Sequence, residues 1–65
     1  MREITAKKLR CSFGACPGVF ELDEDNLVII GTELTDELKE KIQSRVGSGE
    51  HAIVIRREFL QELES

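Results

Sequence analysis

Two cysteines, Cys11 and Cys16, and one histidine, His51, are the side chains of this 65-residue chain whose types could do metal or nucleophile chemistry. Four residues lie between the cysteines, a spacing at the upper end of zinc-ligand pairs. A structural zinc site takes four ligands. His51 brings the soft ligands to three, and a carboxylate such as Glu50 would have to complete the set. Redox chemistry of the thioredoxin kind needs C-x-x-C beside a βαβ unit, and the chain has neither. The reading placed first is packing: Cys11 half-buried on a strand, Cys16 beneath the loop that follows, both as free thiols. The competing reading is a thiol- or metal-based sensor using Cys11, Cys16 and His51.

The other polar groups give no reaction centre. His51 beside Glu50 could act as a general base, but no Ser or Cys stands in a nucleophile pattern with it. It reads as an exposed residue at the first position of a strand. Glu21, Asp23, Glu24 and Asp25 form an acidic cluster without EF-hand spacing, so they read as a solvated hairpin turn rather than a cation site. The five glycines match neither a P-loop nor a dinucleotide fingerprint. The sequence therefore predicts no catalytic residue and no resident cofactor.

Charge and length bound the partners. The net charge is −4, which repels phosphate backbones and disfavours nucleic acid in general. The exception would be a local basic patch of Lys7, Lys8, Arg10, Arg56 and Arg57, formed if the first strand runs beside the end of the chain. It lacks interleaved aromatics and a recognition-helix signature. The longest apolar runs, Leu27–Ile30 and residues 52–55, are too short to span a bilayer. No apolar h-region follows Met1-Arg2-Glu3-Ile4, which predicts a cytosolic protein with reduced cysteines. Apolar residues are 40% and charged residues 34% of the chain, a globular balance. A domain of this size buries only roughly 60% of its unfolded surface, so a homodimer or another protein partner would add needed stability.

Residues 1–65 read as one domain. Residues 3–11 are expected to form an edge strand guarded by Lys7, Lys8 and Arg10, with Leu9, Cys11 and Phe13 alternating against polar neighbours. An irregular loop leads through Cys16-Pro17-Gly18 into the strand Val19-Phe20-Glu21-Leu22. After the turn Asp23-Glu24-Asp25-Asn26 comes Leu27-Val28-Ile29-Ile30, closing a β-hairpin. This last run is apolar on both faces and is expected in the middle of the sheet, as is the strand at 51–55. Residues 35–46 are predicted helical, capped by Thr35, with Leu34, Leu38, Ile42 and Val46 in one stripe that should pack on the sheet. Gly47 is its expected C′ residue. Residues 56–64 form a short amphipathic segment with charges opposed to the helix dipole. Its Phe59, Leu60 and Leu63 either close the core, the reading placed first, or offer a partner contact. The class is α+β: a small, mostly antiparallel sheet of three to four strands with one helix packed on it and a short C-terminal helix.

From Cys16-Pro17-Gly18-Val19-Phe20-Glu21 onward, the chain resembles small prokaryotic domains of unassigned activity that begin with Cys-Pro-x-Val-Phe/Tyr. In these an acidic turn and a β-run ending in Gly follow, here residues 23–26 and 27–31. A Gly-Glu turn, a β-run and a short amphipathic end then close the domain, here Gly49-Glu50, residues 52–55 and residues 56–63. The resemblance covers residues 16–63. Arg56-Arg57 stands where such chains often have proline after the last strand. Domains of this kind look like the small open reading frames that accompany transcription regulators. The resemblance implies the architecture and supplies no chemistry. The functional expectation is a non-catalytic protein-interaction or accessory regulatory module.

Overall fold

The computed structural model describes residues 1–11 and 14–64. The alternation expected to run through Phe13 therefore lies partly outside the described residues. The elements are β1 (Arg2–Glu3), β2 (Gly18–Glu21), β3 (Leu27–Ile30), β4 (Thr32–Glu33), α1 (Asp36–Ile42), β5 (Ile53–Val54) and α2 (Glu58–Gln61), with 3₁₀ turns at Lys7–Leu9 and Gln43–Arg45. They form two antiparallel sheets, β1-β2-β3 and β4-β5. The α+β class stands in outline, and its details differ from the expected single sheet.

The hairpin is the element the sequence describes best. β2 and β3 pair in continuous register, Gly18 with Ile30 through Glu21 with Leu27. The turn between them is closed by Asn26, whose carbonyl accepts from the N–H groups of Leu22 at 3.1 Å and Asp23 at 3.3 Å. Asp23 holds the turn from within, its Oδ1 accepting from the N–H groups of Asp25 at 2.9 Å and Asn26 at 2.8 Å. This is the Asx chemistry that makes such residues turn formers.

The first segment corrects the expected strand over 3–11. Only Arg2 and Glu3 join the ladder, and residues 7–9 coil into a 3₁₀ turn. The apolar phase changes between Ala6 and Leu9, where the 3₁₀ turn lies, and the ladder ends before it. Ile4 N–H still donates to the Val19 carbonyl at 2.8 Å. One residue later the Thr5 side chain takes over: Val19 N–H donates to Thr5 Oγ1 at 2.8 Å, and Thr5 Oγ1 donates to the Val19 carbonyl at 3.4 Å. Thr5 is fully buried, and its hydroxyl satisfies an amide that would otherwise be stranded in the core.

That core is small. Among the described residues the buried apolar side chains are Ile4, Val19 and Phe59, with Leu9 and Ile55 packed at its margin. Among the described residues Phe59 is the one aromatic seated there, delivered by α2. Of the three apolar residues expected to close the core, Phe59 does so. Leu60 and Leu63 stay substantially exposed, because α2 has a single turn and can turn only one residue inward. α2 has no side-chain N-cap. It is held instead by Phe59, by an Arg56 guanidinium 5.2 Å from the Phe59 ring centre, and by the bridge between Thr5 and Leu63.

Two further expectations are overturned. β3 is an edge strand and not a central one; β2 is central, and β3 is uncovered on its far side. The helix does not pack on the three-stranded sheet. Thr35 caps it through a 3.3 Å bond from Leu38 N–H, as expected, but no residue of α1 is buried. The physical reason is Gly31. A Cβ there would lie 2.5 Å from the Val54 carbonyl oxygen, so only glycine permits the close approach by which the extended chain leaves β3 and pairs with β5. The β4-α1-β5 lobe is thereby carried away from the core. The radius of gyration is 13.2 Å, against about 11 Å for a compact domain of this length.

Thr5 yields a test of the core. Thr5→Val strands the Val19 amide and is expected to cost about 1–3 kcal/mol in urea denaturation, a large share of so small a domain's stability. Thr5→Ser keeps the hydroxyl and should retain most of it.

Candidate functional site

The cysteines are not free thiols. Cys11 and Cys16 form a disulfide with their Cα atoms 6.4 Å apart. The 3₁₀ turn brings the chain back toward β2, so the two ends of the loop face each other at a distance a disulfide can close. The expectation of free packing thiols is thus corrected. His51 does not join them: among the described residues no three His, Cys, Asp or Glu side chains come together as a metal site.

His51 lies in the other lobe. With Leu34, Ile42, Val46 and Ala52 it lines an open cleft of about 430 Å³ between the helix and the strand that returns to β5. Its neighbour Glu50 also lines this cleft but is engaged elsewhere, its Oε1 accepting from Gly47 N–H at 2.7 Å. Gly47 is therefore not a left-handed helix cap. α1 tightens into a 3₁₀ turn, and the left-handed residue is Gly49, at φ +80°. The cleft is floored by the Leu34, Ile42 and Val46 stripe that was expected to lie against a sheet.

The basic residues meet the end of the chain, and acids meet them there. Residues 4 and 5 run beside residues 63 and 64, Glu64 N–H donating to the Ile4 carbonyl at 2.8 Å. Arg10 clasps this junction: Nε donates to the Thr5 carbonyl at 2.9 Å and Nη2 to Glu64 Oε2 at 3.2 Å. Glu64 Oε1 accepts from Lys7 N–H at 3.1 Å. Lys8 pairs with Glu62, and Arg56 with Glu58 at 3.1 Å. The hydrogen bond and charge of Glu62 hold the Lys8 ammonium above its ordinary pKa. The Glu62 and Glu64 charges that oppose the α2 dipole are explained by these partners. Lys8, Arg10 and Arg56 of the expected basic patch are thus paired with local carboxylates, which lowers the charge that side of the surface can offer phosphate.

The largest feature unassigned in the sequence is apolar. Leu27, Ile29 and Ile30 of β3, Ile53 and Val54 of β5, Leu38 and Ile42 of α1, and Leu60 and Leu63 all stand substantially exposed. The signal was present in the two-faced runs at 27–30 and 52–55. A chain this short has too few elements to cover both faces of two such strands. Among the described residues, no helix is long and apolar enough to cross a membrane.

No protein-family model, no curated protein and no solved structure matches this chain.

The acidic turn gives a measurable titration. Hydrogen bonds from Asp25 N–H, the Asn26 side-chain amide and Asn26 N–H hold the Asp23 carboxyl below its ordinary pKa of 3.8. A depressed carboxylate stabilises the turn above the unfolded value and loses that contribution as pH falls through the folded one. NMR titration of the Asp23 carboxyl carbon should find its midpoint below 3.8, with the Asn26 amide resonance moving in step.

Proposed function

We propose that this chain is a non-catalytic protein-interaction module, an accessory regulatory protein of the cytoplasm that acts by binding protein. The observation that carries this reading is the exposed apolar surface. The chain exposes 5513 Å², whereas a folded monomer of 7.3 kDa exposes about 4,200 Å². The excess, about 1,300 Å², comes with Leu27, Ile29, Ile30, Ile53 and Val54 exposed on the two sheets. The likeness to small prokaryotic domains with a Cys-Pro-x-Val-Phe/Tyr hairpin is in keeping with an accessory role. Glutamate at Ile30 and Ile53, both exposed, should leave the fold intact by circular dichroism and abolish binding of protein partners. Unaltered capture by the double variant, or a wild-type chain that binds nothing at all, would defeat the reading.

The disulfide favours a second reading, the thiol branch of the sensor. A disulfide in the cytoplasm is usually transient and redox-responsive. Cys11 follows Arg10, so opening the Cys11–Cys16 ring would release the segment that carries the clasp on Thr5 and Glu64. Closure forms the S–S bond by thiol–disulfide exchange, the two electrons passing to a second, low-molecular-weight disulfide that leaves as two thiols. Reduction should shift the amide resonances of Thr5, Val19 and Glu64 in the wild type, and leave them unmoved in the Cys11→Ser, Cys16→Ser variant. Identical wild-type spectra with and without reductant would rule the sensor out.

A further inference from the structure

The hydrogen-bond parity of the three-stranded sheet says where its free edge points. The Val19 carbonyl accepts from Ile4 N–H, so the backbone groups of Val19 and Glu21 face β1. Leu22 N–H donates to the Asn26 carbonyl, so the alternate residues of β2 face β3. In the observed register, Val28 and Ile30 bond inward to β2, while Leu27 and Ile29 turn their N–H and carbonyl groups outward. Among the described residues, no backbone group of Leu27 or Ile29 bonds outside that hairpin.

The same register arranges the side chains. Ile4, Val19 and Ile29 form one row across the three strands on the face that Phe59 covers. Ile4 and Val19 are buried there, but Ile29, at the end of the row, is 37% exposed. The core stops one strand short of its own apolar row. Natural edge strands are guarded by charge, proline or a bulge. β3 has none of these, its four residues being Leu, Val, Ile and Ile in unbroken register.

We infer that β3 is the interface with a second copy of this chain, joined antiparallel about a two-fold axis at Val28. This deepens the interaction-module reading and rests on it. With the axis at Val28, Leu27 of one copy faces Ile29 of the other, and the reverse pair forms by symmetry. Each outward donor and acceptor of Leu27 and Ile29 then has a partner, which completes a six-stranded sheet. Leu27 of the second copy extends the row of Ile4, Val19 and Ile29.

Charge and area favour this occupant. Antiparallel pairing sends the two acidic turns at residues 23–25 to opposite ends of the interface, about 20 Å apart along the strands. That distance exceeds the screening length of about 8 Å in physiological salt. A parallel pairing would set the turns side by side. A standard interface takes roughly 800 Å² from each partner, and Leu27, Ile29 and Ile30 of β3 stand exposed to supply its apolar part.

The test needs only the wild-type chain first. Light scattering from micromolar to millimolar concentration should show the mass doubling from 7.3 kDa. Over the same range, hydrogen exchange at the Leu27 and Ile29 amides should slow, while Val28 and Ile30 stay protected throughout. Ile29→Lys should raise the dissociation constant at least about tenfold, and Ile53→Lys, on the other sheet, should not change it. A dimer whose Leu27 and Ile29 amides exchange freely overturns the β3 interface. A strict monomer also overturns it: if another protein then protects those two amides, the interaction reading stands with a foreign strand on the edge. If nothing does so and the chain captures no protein, both fall.

Discussion

Thr5 places its hydroxyl between the amide and the carbonyl of Val19 at the point where the first strand departs from the sheet. Were the strand to continue, its own backbone would fill that place. Because it does not, the buried side chain of a single residue bonds the central strand, and the chain is free to turn outward through residues 7–9. That turn carries Arg10 back over the junction and brings Cys11 to Cys16. The bridge from Thr5 to Leu63 seats the C-terminal residues, and through them the helix that delivers Phe59. Core, clasp and disulfide thus share one local exchange of a backbone partner for a side-chain partner. In a domain with so few buried apolar residues, no other contact can stand in for it.

The junction also shows how opposed charges can be locally wrong and globally right. Acids at the end of α2 and bases at its start disfavour the helix as an isolated segment. Folded, Glu62 faces Lys8 and Glu64 faces Arg10, so the same charges tie the two ends of the domain together. Each exposed pair contributes little by itself. Their effect is to orient, since Glu64 is bonded at once by Arg10, by the Lys7 amide and through its own N–H to Ile4.

Local chemistry was the legible part of this sequence. The hairpin, its acidic turn and the Thr35 cap depend on residues close in the chain, and turn and cap preferences report on such neighbours directly. What depends on distant partners was not legible. β3 was read as central because Leu, Val, Ile and Ile suit burial on both faces, yet among the described residues no strand pairs with its outer side. The stripe Leu34, Leu38, Ile42 and Val46 gave the helix correctly and its packing wrongly, because amphipathicity reports that a face wants cover and not which surface supplies it. Thr5 looked like any strand threonine. The five-residue offset between Cys11 and Cys16 was compatible with several chemistries until the 3₁₀ turn showed the chain doubling back. For the site, the sequence named Cys11, Cys16 and His51 as a possible set, and the fold puts the cysteines in one bond and the histidine in a separate cleft.

Gly31 separates two regions of unequal coherence. Before it lies the hairpin, and α2 returns to complete the core and the clasp; between them, β4, α1 and β5 hold together through a two-rung ladder and surface ion pairs. Regions with few buried contacts open at lower free energy than the core they adjoin. The lobe of residues 32–54 is therefore expected to open at lower free energy than the hairpin. Its residues are correspondingly free to vary: insertions at the Ser48-Gly49 turn or changes along the helix alter the cleft and leave the Ile4, Val19 and Phe59 cluster untouched. One glycine marks where the chain leaves its packed scaffold for a loosely held segment, before α2 rejoins it.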